Sequence, residues 1–222
     1  MRDFDEKEFV YKLDKILKRE FGTDLVFHEF SAGYGIADLV FAPNFSFKKK
    51  AIKRIPISDF NSLSILLTLK GGKTYKQNEI TRMFPQVTTK EIRRLLNILS
   101  ASQYLEKIDK DTYRKCTSTT PLNPIDKIVA VEVKLNDHKR GLIQARRYQY
   151  FADESYLAIL KEADKNIDLE EFNKYNIGLI LFDSSANCIE VRRPYSMNYH
   201  FQYNVSLFAK EMMLSRSMSL AS

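Results

Sequence analysis

The sequence predicts an α/β protein in which a mixed β-sheet, flanked by helices, is interrupted by a mainly helical insert. The clearest strand is 128–135, which is followed by a helical pattern over 139–152 and by an apolar strand over 156–160. Residues 48–115 break this alternation, because three helical patterns follow one another there and the segment is strongly basic. The chain of 222 residues has room for one ordinary domain and a small companion.

The residues before the insert predict a helix followed by two paired strands. Apolar side chains at helical spacing indicate a helix over 3–20, which Asp3 and Glu6 would begin as a capping pair. Residues 25–30 and 38–41 are apolar enough for strands, and the glycine-containing turn between them favours an antiparallel pair. The second strand of this hairpin would begin at an aspartate.

Four further elements are predicted after the strand–helix–strand unit. Residues 168–174 are expected to be helical, and 177–182 are expected to form a buried strand. Residues 188–191 would pair with that strand as a hairpin, and the apolar spacing over 203–215 indicates a C-terminal helix. These elements complete a sheet that is covered by helices.

The insert has its own pattern of three helices and a hairpin. Helical spacing is found over 57–69 and 76–84, and a third helix begins near Thr88. Two short strands, 103–108 and 111–115, follow as a hairpin. This order resembles that of winged-helix domains.

The boundaries of the insert follow from this pattern and from the charge. We expect an inserted winged-helix domain at 48–116 within a discontinuous domain formed by 1–47 and 117–222. Residues 48–115 contain 16 Lys and Arg against 6 Asp and Glu, a net charge of +10, whereas the other residues contain 19 against 22. A basic segment of this size favours an anionic partner, and a solubilising surface is the alternative.

Composition excludes several classes of protein. A hydrophobic content of 44% can supply a core, which argues against a disordered chain. No apolar run approaches 18 residues and the N-terminus lacks a secretory pattern, so we expect no membrane association and a cytoplasmic location. Cys116 and Cys188 lie far apart in dissimilar contexts, which favours reduced structural thiols.

Three charged side chains are predicted to meet on neighbouring strands. Because side chains alternate along a strand, Glu132 and Lys134 project from the same face, and Asp38 opens a strand that would pair nearby. A structural salt bridge explains the Glu132 and Lys134 spacing by itself. Two carboxylates and the carbonyl of Val133 would also supply the hard oxygen ligands that Mg²⁺ prefers. Lys134 would then orient or deprotonate an attacking water, or offset negative charge in the transition state.

The pattern of Asp38, Glu132 and Lys134 resembles the PD-(D/E)xK superfamily of phosphodiesterases, which has the restriction-endonuclease-like fold. The resemblance extends to Gln144 and Tyr148, four residues apart on the following helix. It implies a catalytic set of Asp38, Glu132, Lys134 and Gln144, and metal ligands from Asp38, Glu132 and Val133. A surface glutamine and a packing tyrosine are the alternatives for Gln144 and Tyr148.

The resemblance covers residues 1–42 and 125–160 and implies Mg²⁺ as cofactor, with Mn²⁺ as a substitute. Ala37 stands where the motif has proline, which does not affect the chemistry. The long interval between the two halves of the motif is explained by the insert. Many members also carry a glutamate on the first helix, and three candidates remain open for that role: Glu6, Glu20 and Glu29.

In a winged-helix domain, the third helix of the insert would lie in the major groove of DNA, with the hairpin as the wing. Arginine can recognise guanine, while lysine and threonine can hold phosphates. The residues expected to contact DNA are Thr89, Lys90, Arg93, Arg94, Lys107, Lys110 and Arg114. Winged helices also bind proteins, which is the alternative for this module.

These expectations together predict a Mg²⁺-dependent DNA endonuclease that is targeted by its insert to double-stranded DNA. Cleavage of both strands would favour a homodimer, although nothing in the sequence specifies one. The main rival is a catalytically inactive DNA-binding regulator or recombination accessory protein on a nuclease fold. A nuclease that acts on RNA or on branched DNA is a third reading of the same residues.

Overall fold

The computed structural model describes residues 5–45, 54–116, 125–195 and 200–221. The chain divides into two compact units. The first unit contains Met1–Ala51 and Ile125–Met213, and the second contains Ile52–Pro124 and Leu214–Ser222.

The strands, in chain order, are β1 (Val26–Ser31), β2 (Ile36–Phe41), β3 (Thr74–Lys76), β4 (Leu105–Lys107), β5 (Thr112–Lys115), β6 (Val129–Val133), β7 (Glu154–Leu160), β8 (Gly178–Asp183) and β9 (Cys188–Arg192). The α-helices are α1 (Glu6–Glu20), α2 (Phe60–Thr68), α3 (Gln77–Met83), α4 (Thr89–Ala101), α5 (His138–Tyr148), α6 (Leu169–Tyr175) and α7 (Tyr203–Ala221). A 3₁₀ helix, Lys161–Asn166, follows β7.

The first unit is built on a six-stranded mixed sheet in the order β1-β2-β6-β7-β8-β9. β6, β7 and β8 are parallel, while β1, β2 and β9 join antiparallel to their neighbours. Parallel neighbours need a crossover, which α5 supplies between β6 and β7 and α6 supplies between β7 and β8. The prediction of a mixed α/β fold with helices flanking the sheet is confirmed.

The two faces of this sheet pack against different helices. One face is covered by α1, whose buried residues Phe9, Leu13 and Leu17 contact alternate strand residues such as Val131 and Val133. The other face is covered by α5 and α6 through a cluster of buried side chains: Leu142, Ala145, Leu157, Ile159, Phe172, Leu179 and Leu181. Because alternate residues face opposite sides, Glu132 lies on the α5 side.

The second unit contains α2, α3 and α4 with a three-stranded sheet in the order β3-β5-β4. The predicted hairpin is present as β4 and β5, but β3 was not predicted from the sequence. β3 has three residues, too few to show alternation, and exists because it pairs with β5. The helices α2 and α4 begin at the caps Asp59 and Thr88, whose side chains accept from backbone amides.

Several element boundaries differ from the expected ones. α1 begins at Glu6 because Asp5 caps it by accepting from the amide of Glu8; Asp3, the predicted cap, lies outside the described residues. β6 ends at Val133, so Lys134 is placed just beyond the strand. α7 continues to Ala221. Within the described ranges, no helix combines the length and apolar character needed to cross a bilayer.

Candidate active site

Asp38 and Glu132 lie on adjacent antiparallel strands. β2 pairs with β6 through Leu39 opposite Val131, and the next step of this register places Asp38 opposite Glu132. The backbone amide of Val133 donates to Oδ2 of Asp38 at 2.7 Å. The two carboxylates predicted to act together are therefore neighbours across one strand pair, on the face that α5 covers.

Glu132 is 1% exposed, and both of its carboxylate oxygens have partners. Oε1 lies 2.8 Å from Nζ of Lys134, and Oε2 accepts from the hydroxyl of Tyr148 at 2.5 Å. Burying a carboxylate costs several kcal/mol unless it is paired and hydrogen-bonded, so these two contacts permit Glu132 to occupy the core.

The ammonium of Lys134 lies among three oxygens. Besides Glu132, Nζ donates to the carbonyl of Val133 at 3.1 Å and lies 3.9 Å from Oε2 of Glu6. The backbone amide of Leu135 is 3.4 Å from the other oxygen of Glu6. Lys134 therefore concentrates positive charge where carboxylate and carbonyl oxygens converge.

Burial and charge shift the pKa of each of these groups. Burial raises the pKa of Asp38, and the amide of Val133 and the charge of Lys134 oppose this only in part. Burial also raises the pKa of Glu132 against the hydrogen bonds from Lys134 and Tyr148. Burial alone would lower the pKa of Lys134, but the hydrogen bond to Glu132 and the surrounding carboxylates raise it overall. Lys134 is thus held as an ammonium, which suits charge stabilisation better than proton abstraction.

The helix α5 fits closely over these residues. A Cβ atom on Gly141 would lie 2.8 Å from Cγ of Lys134 and 2.6 Å from Cδ1 of Leu157, so glycine allows the helix to approach. Tyr148, two turns further along, reaches Glu132. Gln144 lies on the same side between them, and its Oε1 atom is buried without a hydrogen-bond partner in the described part of the chain. An acceptor of this kind is available to a water molecule or a ligand.

Tyr148 has a larger role than the sequence indicated. Its hydroxyl lies 2.6 Å from the carbonyl oxygen of Ile36 as well as 2.5 Å from Glu132. Burial and the neighbouring carboxylates raise the pKa of the phenol, which keeps its proton available for donation. The four-residue spacing of Gln144 and Tyr148 was the signal for this face of α5, but the acceptor could not be deduced from spacing.

The three glutamates left open by the sequence occupy different positions. Glu6 approaches Lys134, whereas Glu20 forms a 2.9 Å salt bridge with Arg19. Glu29 falls opposite Asp38 in the register of β1 and β2, with an unusual φ of 46° for a residue within a strand. The charges of Glu6 and Glu29 both raise the pKa of Asp38. Glu6 and Glu29 are therefore the candidates that lie beside the pair of carboxylates.

The donor set is compatible with a divalent cation. No group of three His, Cys, Asp or Glu side chains in the described residues is arranged to hold a metal ion. Asp38, Glu132 and the carbonyl of Val133 are hard oxygen donors, and Mg²⁺ is commonly held by one or two carboxylates with several waters retained. Since Lys134 already places a cation against two of these donors, the site is suited to positive charge.

In the second unit, some of the residues predicted to contact DNA surround a cavity of about 650 Å³. Thr89 and Arg93 from α4 line it, and Nε of Arg93 lies 3.4 Å from Oε1 of Gln77. The other residues that line this cavity were not predicted and include two aspartates: Lys76, Gln77, Asn78, Thr81, Arg82, Asp109, Asp111 and Thr112. The spacing of Asn78 and Arg82, four residues apart on α3, was the available signal.

The other residues predicted to contact DNA do not line this cavity, and two of them are paired with carboxylates. Arg94 forms a two-point salt bridge with Glu91, and Arg114 pairs with Glu106 at 2.5 Å. Their charge is largely offset within the unit. The remaining predicted residues, Lys90, Lys107 and Lys110, are exposed, and Nζ of Lys107 lies 5.9 Å from the centre of the Tyr113 ring.

No protein-family model and no curated protein matches this sequence.

Proposed function

We propose that the chain is a Mg²⁺-dependent DNA endonuclease of the PD-(D/E)xK type with a restriction-endonuclease-like first unit. The observation that carries the proposal is the convergence of Asp38, Glu132 and Lys134 at the end of two adjacent core strands. A buried and a half-buried carboxylate, both with raised pKa values, and a lysine held among oxygens suit a reaction in which charge develops on a phosphate.

Each residue has a role that follows from its contacts. Asp38, Glu132 and the carbonyl of Val133 would hold Mg²⁺, for which Mn²⁺ would substitute. When bound, the ion supplies positive charge that offsets the negative charge developing on the scissile phosphate. Lys134 adds a second positive charge there, and the unpaired Oε1 of Gln144 accepts from a water molecule and helps to orient it.

The second unit is proposed as a winged-helix DNA-binding domain. Three helices are followed by the β4 and β5 hairpin, and α4 lines a cavity together with basic and amide side chains and two aspartates, Asp109 and Asp111. We place the phosphate contacts on the α3 side of α4, at Lys76, Arg82 and Arg93, and on exposed Lys90. The strongly basic composition of this segment supports DNA over a protein partner.

Nicking of supercoiled plasmid DNA in Mg²⁺ tests the activity. Asp38→Ala and Lys134→Ala should each reduce nicking by about 100-fold or more while DNA affinity in EDTA is retained, because the second unit is untouched. Asp24→Ala and Lys139→Ala are matched controls at exposed positions and should cleave like the wild type. Undiminished nicking by pure Asp38→Ala protein would show that this assignment is wrong.

A non-catalytic DNA-binding regulator or recombination accessory protein is the second candidate. The observation in its favour is that both oxygens of Glu132 already have partners, as in a structural salt bridge. Calorimetric titration with Mg²⁺, with and without DNA, separates the two, since a regulator of this kind would bind no divalent ion. Linear duplex, single-stranded, junction and RNA substrates compared in one assay would show which nucleic acid is cleaved.

A further inference from the structure

The first unit has a second surface, separate from the residues discussed above, with features of a ligand site. A cavity of about 220 Å³ opens beside the C-terminal end of α5. Five residues line it, of which two are arginines and two are rings: Ile143, Arg146, Arg147, Tyr150 and His200. The side chain of Ile143 is 59% exposed, so the cavity presents an apolar contact as well as charge.

The ring of Tyr150, which forms part of the cavity wall, is supported by residues outside the cavity. The ring of Tyr34 stacks on that of Tyr150 with centroids 4.5 Å apart and an interplanar angle of 16°. The hydroxyl of Tyr34 donates to Oε1 of Gln202 at 3.3 Å. The backbone amide of Gln202 donates to the backbone carbonyl of Tyr150 at 3.0 Å. Tyr34 supports Tyr150 from outside the cavity, and the ring of His200, 6.2 Å from that of Tyr150 and tilted by 43°, lines the cavity with it.

The charge at this surface is positive. Among the described residues, no carboxylate forms a salt bridge with Arg147, and none lines the cavity. The guanidinium of Arg146 lies 4.7 Å from the centre of the Tyr175 ring, a contact that leaves its charge uncompensated. Arginines near a helix C-terminus also interact favourably with the helix dipole, but that interaction does not account for the stacked rings or for the cavity.

The cavity is close in sequence to the proposed catalytic residues, although its α5 residues project from the side of the helix that faces away from Glu132. Tyr150 follows Tyr148, whose hydroxyl contacts Glu132, by two residues. Tyr34 precedes Asp38 by four residues, and a chain of that length spans at most about 14 Å. Tyr34 stacks on Tyr150 of the cavity wall, and the rise of a nucleic-acid strand in a duplex is about 3.4 Å per nucleotide, so a strand with one phosphate at Asp38 needs to extend by only several nucleotides to reach the cavity.

We propose that this cavity binds one unpaired nucleobase of a substrate strand, with Arg146 and Arg147 contacting the adjoining phosphates. Aromatic rings beside uncompensated arginines suit nucleobases, which stack on rings, and phosphates, which pair with guanidinium groups. This inference rests on the proposed function, since it makes the preferred substrate a duplex with a single-stranded tail or gap.

The test measures binding without cleavage. Fluorescence anisotropy in EDTA would compare a blunt duplex with the same duplex carrying a single-stranded tail, the tail being DNA in one arm and RNA in another. We expect tighter binding of a tailed duplex. Tyr150→Ala and Arg147→Gln should abolish most of that preference, with a loss of about 5- to 150-fold for the ring.

Matched variants separate the cavity from general effects. Tyr150→Phe keeps the ring and should retain the preference, while Arg140→Gln removes an equal charge from an exposed position near the start of α5 and should have no effect. Tyr11→Ala, which removes an exposed ring that lies beside Lys15, is the corresponding aromatic control. Arg147 is exposed, so its variant tests the proposal even where Tyr150→Ala fails to fold.

The outcomes are distinct from those for the nuclease activity. Equal affinity for blunt and tailed duplexes, or unchanged affinity in the Arg147→Gln variant, would overturn the nucleobase site whether or not the chain cleaves DNA. A chain that cleaves nothing in Mg²⁺ but binds tailed duplexes through Tyr150 and Arg147 would refute the nuclease and retain the site. The DNA and RNA arms show which strand the cavity accepts.

Discussion

The hydroxyl of Tyr148 lies 2.5 Å from Oε2 of Glu132 and so joins α5 directly to the carboxylate at the end of β6. The same hydroxyl is 2.6 Å from the carbonyl of Ile36, at the start of β2. A hydroxyl has one proton to donate, so these two acceptors share it. This contact fixes the position of Glu132 relative to both strands of the site.

Tyr148→Phe should therefore weaken both stability and activity. Removing the hydroxyl leaves the buried Oε2 of Glu132 without this donor, a loss of about 1–3 kcal/mol in the free energy of unfolding, and we expect nicking to fall about tenfold. Thermal unfolding and plasmid nicking measure the two effects. Tyr156→Phe is the control, because Tyr156 donates to Glu154 at 2.7 Å on the opposite face of the sheet and should affect stability alone. Equal activity losses in both variants would contradict a specific role for Tyr148.

Gly141→Ala should displace Lys134. Alanine favours the helix by about 1 kcal/mol, but its Cβ would lie within 3.0 Å of Lys134 and Leu157, and overpacking costs about 1–3 kcal/mol. We expect no gain in the free energy of unfolding and at least a tenfold loss of nicking. Arg140→Ala, at the adjacent exposed position, also places alanine on α5 but meets no clash and should stay active. A stabilised and fully active Gly141→Ala protein would show that α5 tolerates a wider separation.

Glu6→Gln should raise the Mg²⁺ concentration needed for half-maximal cleavage by about tenfold. Glu6 lies 3.9 Å from Nζ of Lys134 and contributes negative charge beside Asp38. Glu20→Gln, on the same helix but paired with Arg19, should leave the Mg²⁺ dependence unchanged. If the two variants behave alike, Glu6 has no part in the site.

Binding of Mg²⁺ should weaken as the pH falls. The pKa values of Asp38 and Glu132 are raised, so the folded ion-free protein keeps these protons to a higher pH than exposed carboxyl groups do. Protons compete with the cation, and each proton that must be displaced lowers the apparent affinity about tenfold per pH unit below the pKa. Calorimetric titrations between ~pH 5 and ~pH 8 would measure this. A constant affinity down to the ordinary carboxyl range would contradict the raised pKa values.

Arg93→Gln should weaken DNA binding and reduce the slope of log affinity against log salt concentration by about 1. Arg93 lines the cavity between α3 and α4, whereas Arg94 is bound to Glu91 on its own helix. Arg94→Gln should therefore have the smaller effect, because its charge is already offset. Filter binding at several salt concentrations distinguishes the two, and a larger effect at Arg94 would place the interface on the other side of α4.

Much of the site could be predicted because strand alternation is a local property. The side of the sheet to which Glu132 points follows from the apolar residues on either side of it in the strand. The four-residue spacing of Gln144 and Tyr148 places both on one face of the helix. The start of α1 was less predictable, since Asp3 and Asp5 are the same residue type and only the structure shows that Asp5 accepts from the amide of Glu8. β3 was missed because three residues carry no pattern.

The sequence by itself determined the mixed α/β class, the order of most elements and the strands on which Asp38 and Glu132 lie. Tertiary structure alone decided that Glu6 approaches Lys134 while Glu20 binds Arg19, that Tyr148 donates to Glu132, and that Arg94 and Arg114 are already paired. The physical reason is that periodicity fixes the direction of a side chain relative to its own element. Its partner depends on the register and packing of elements distant in sequence, which no local pattern encodes.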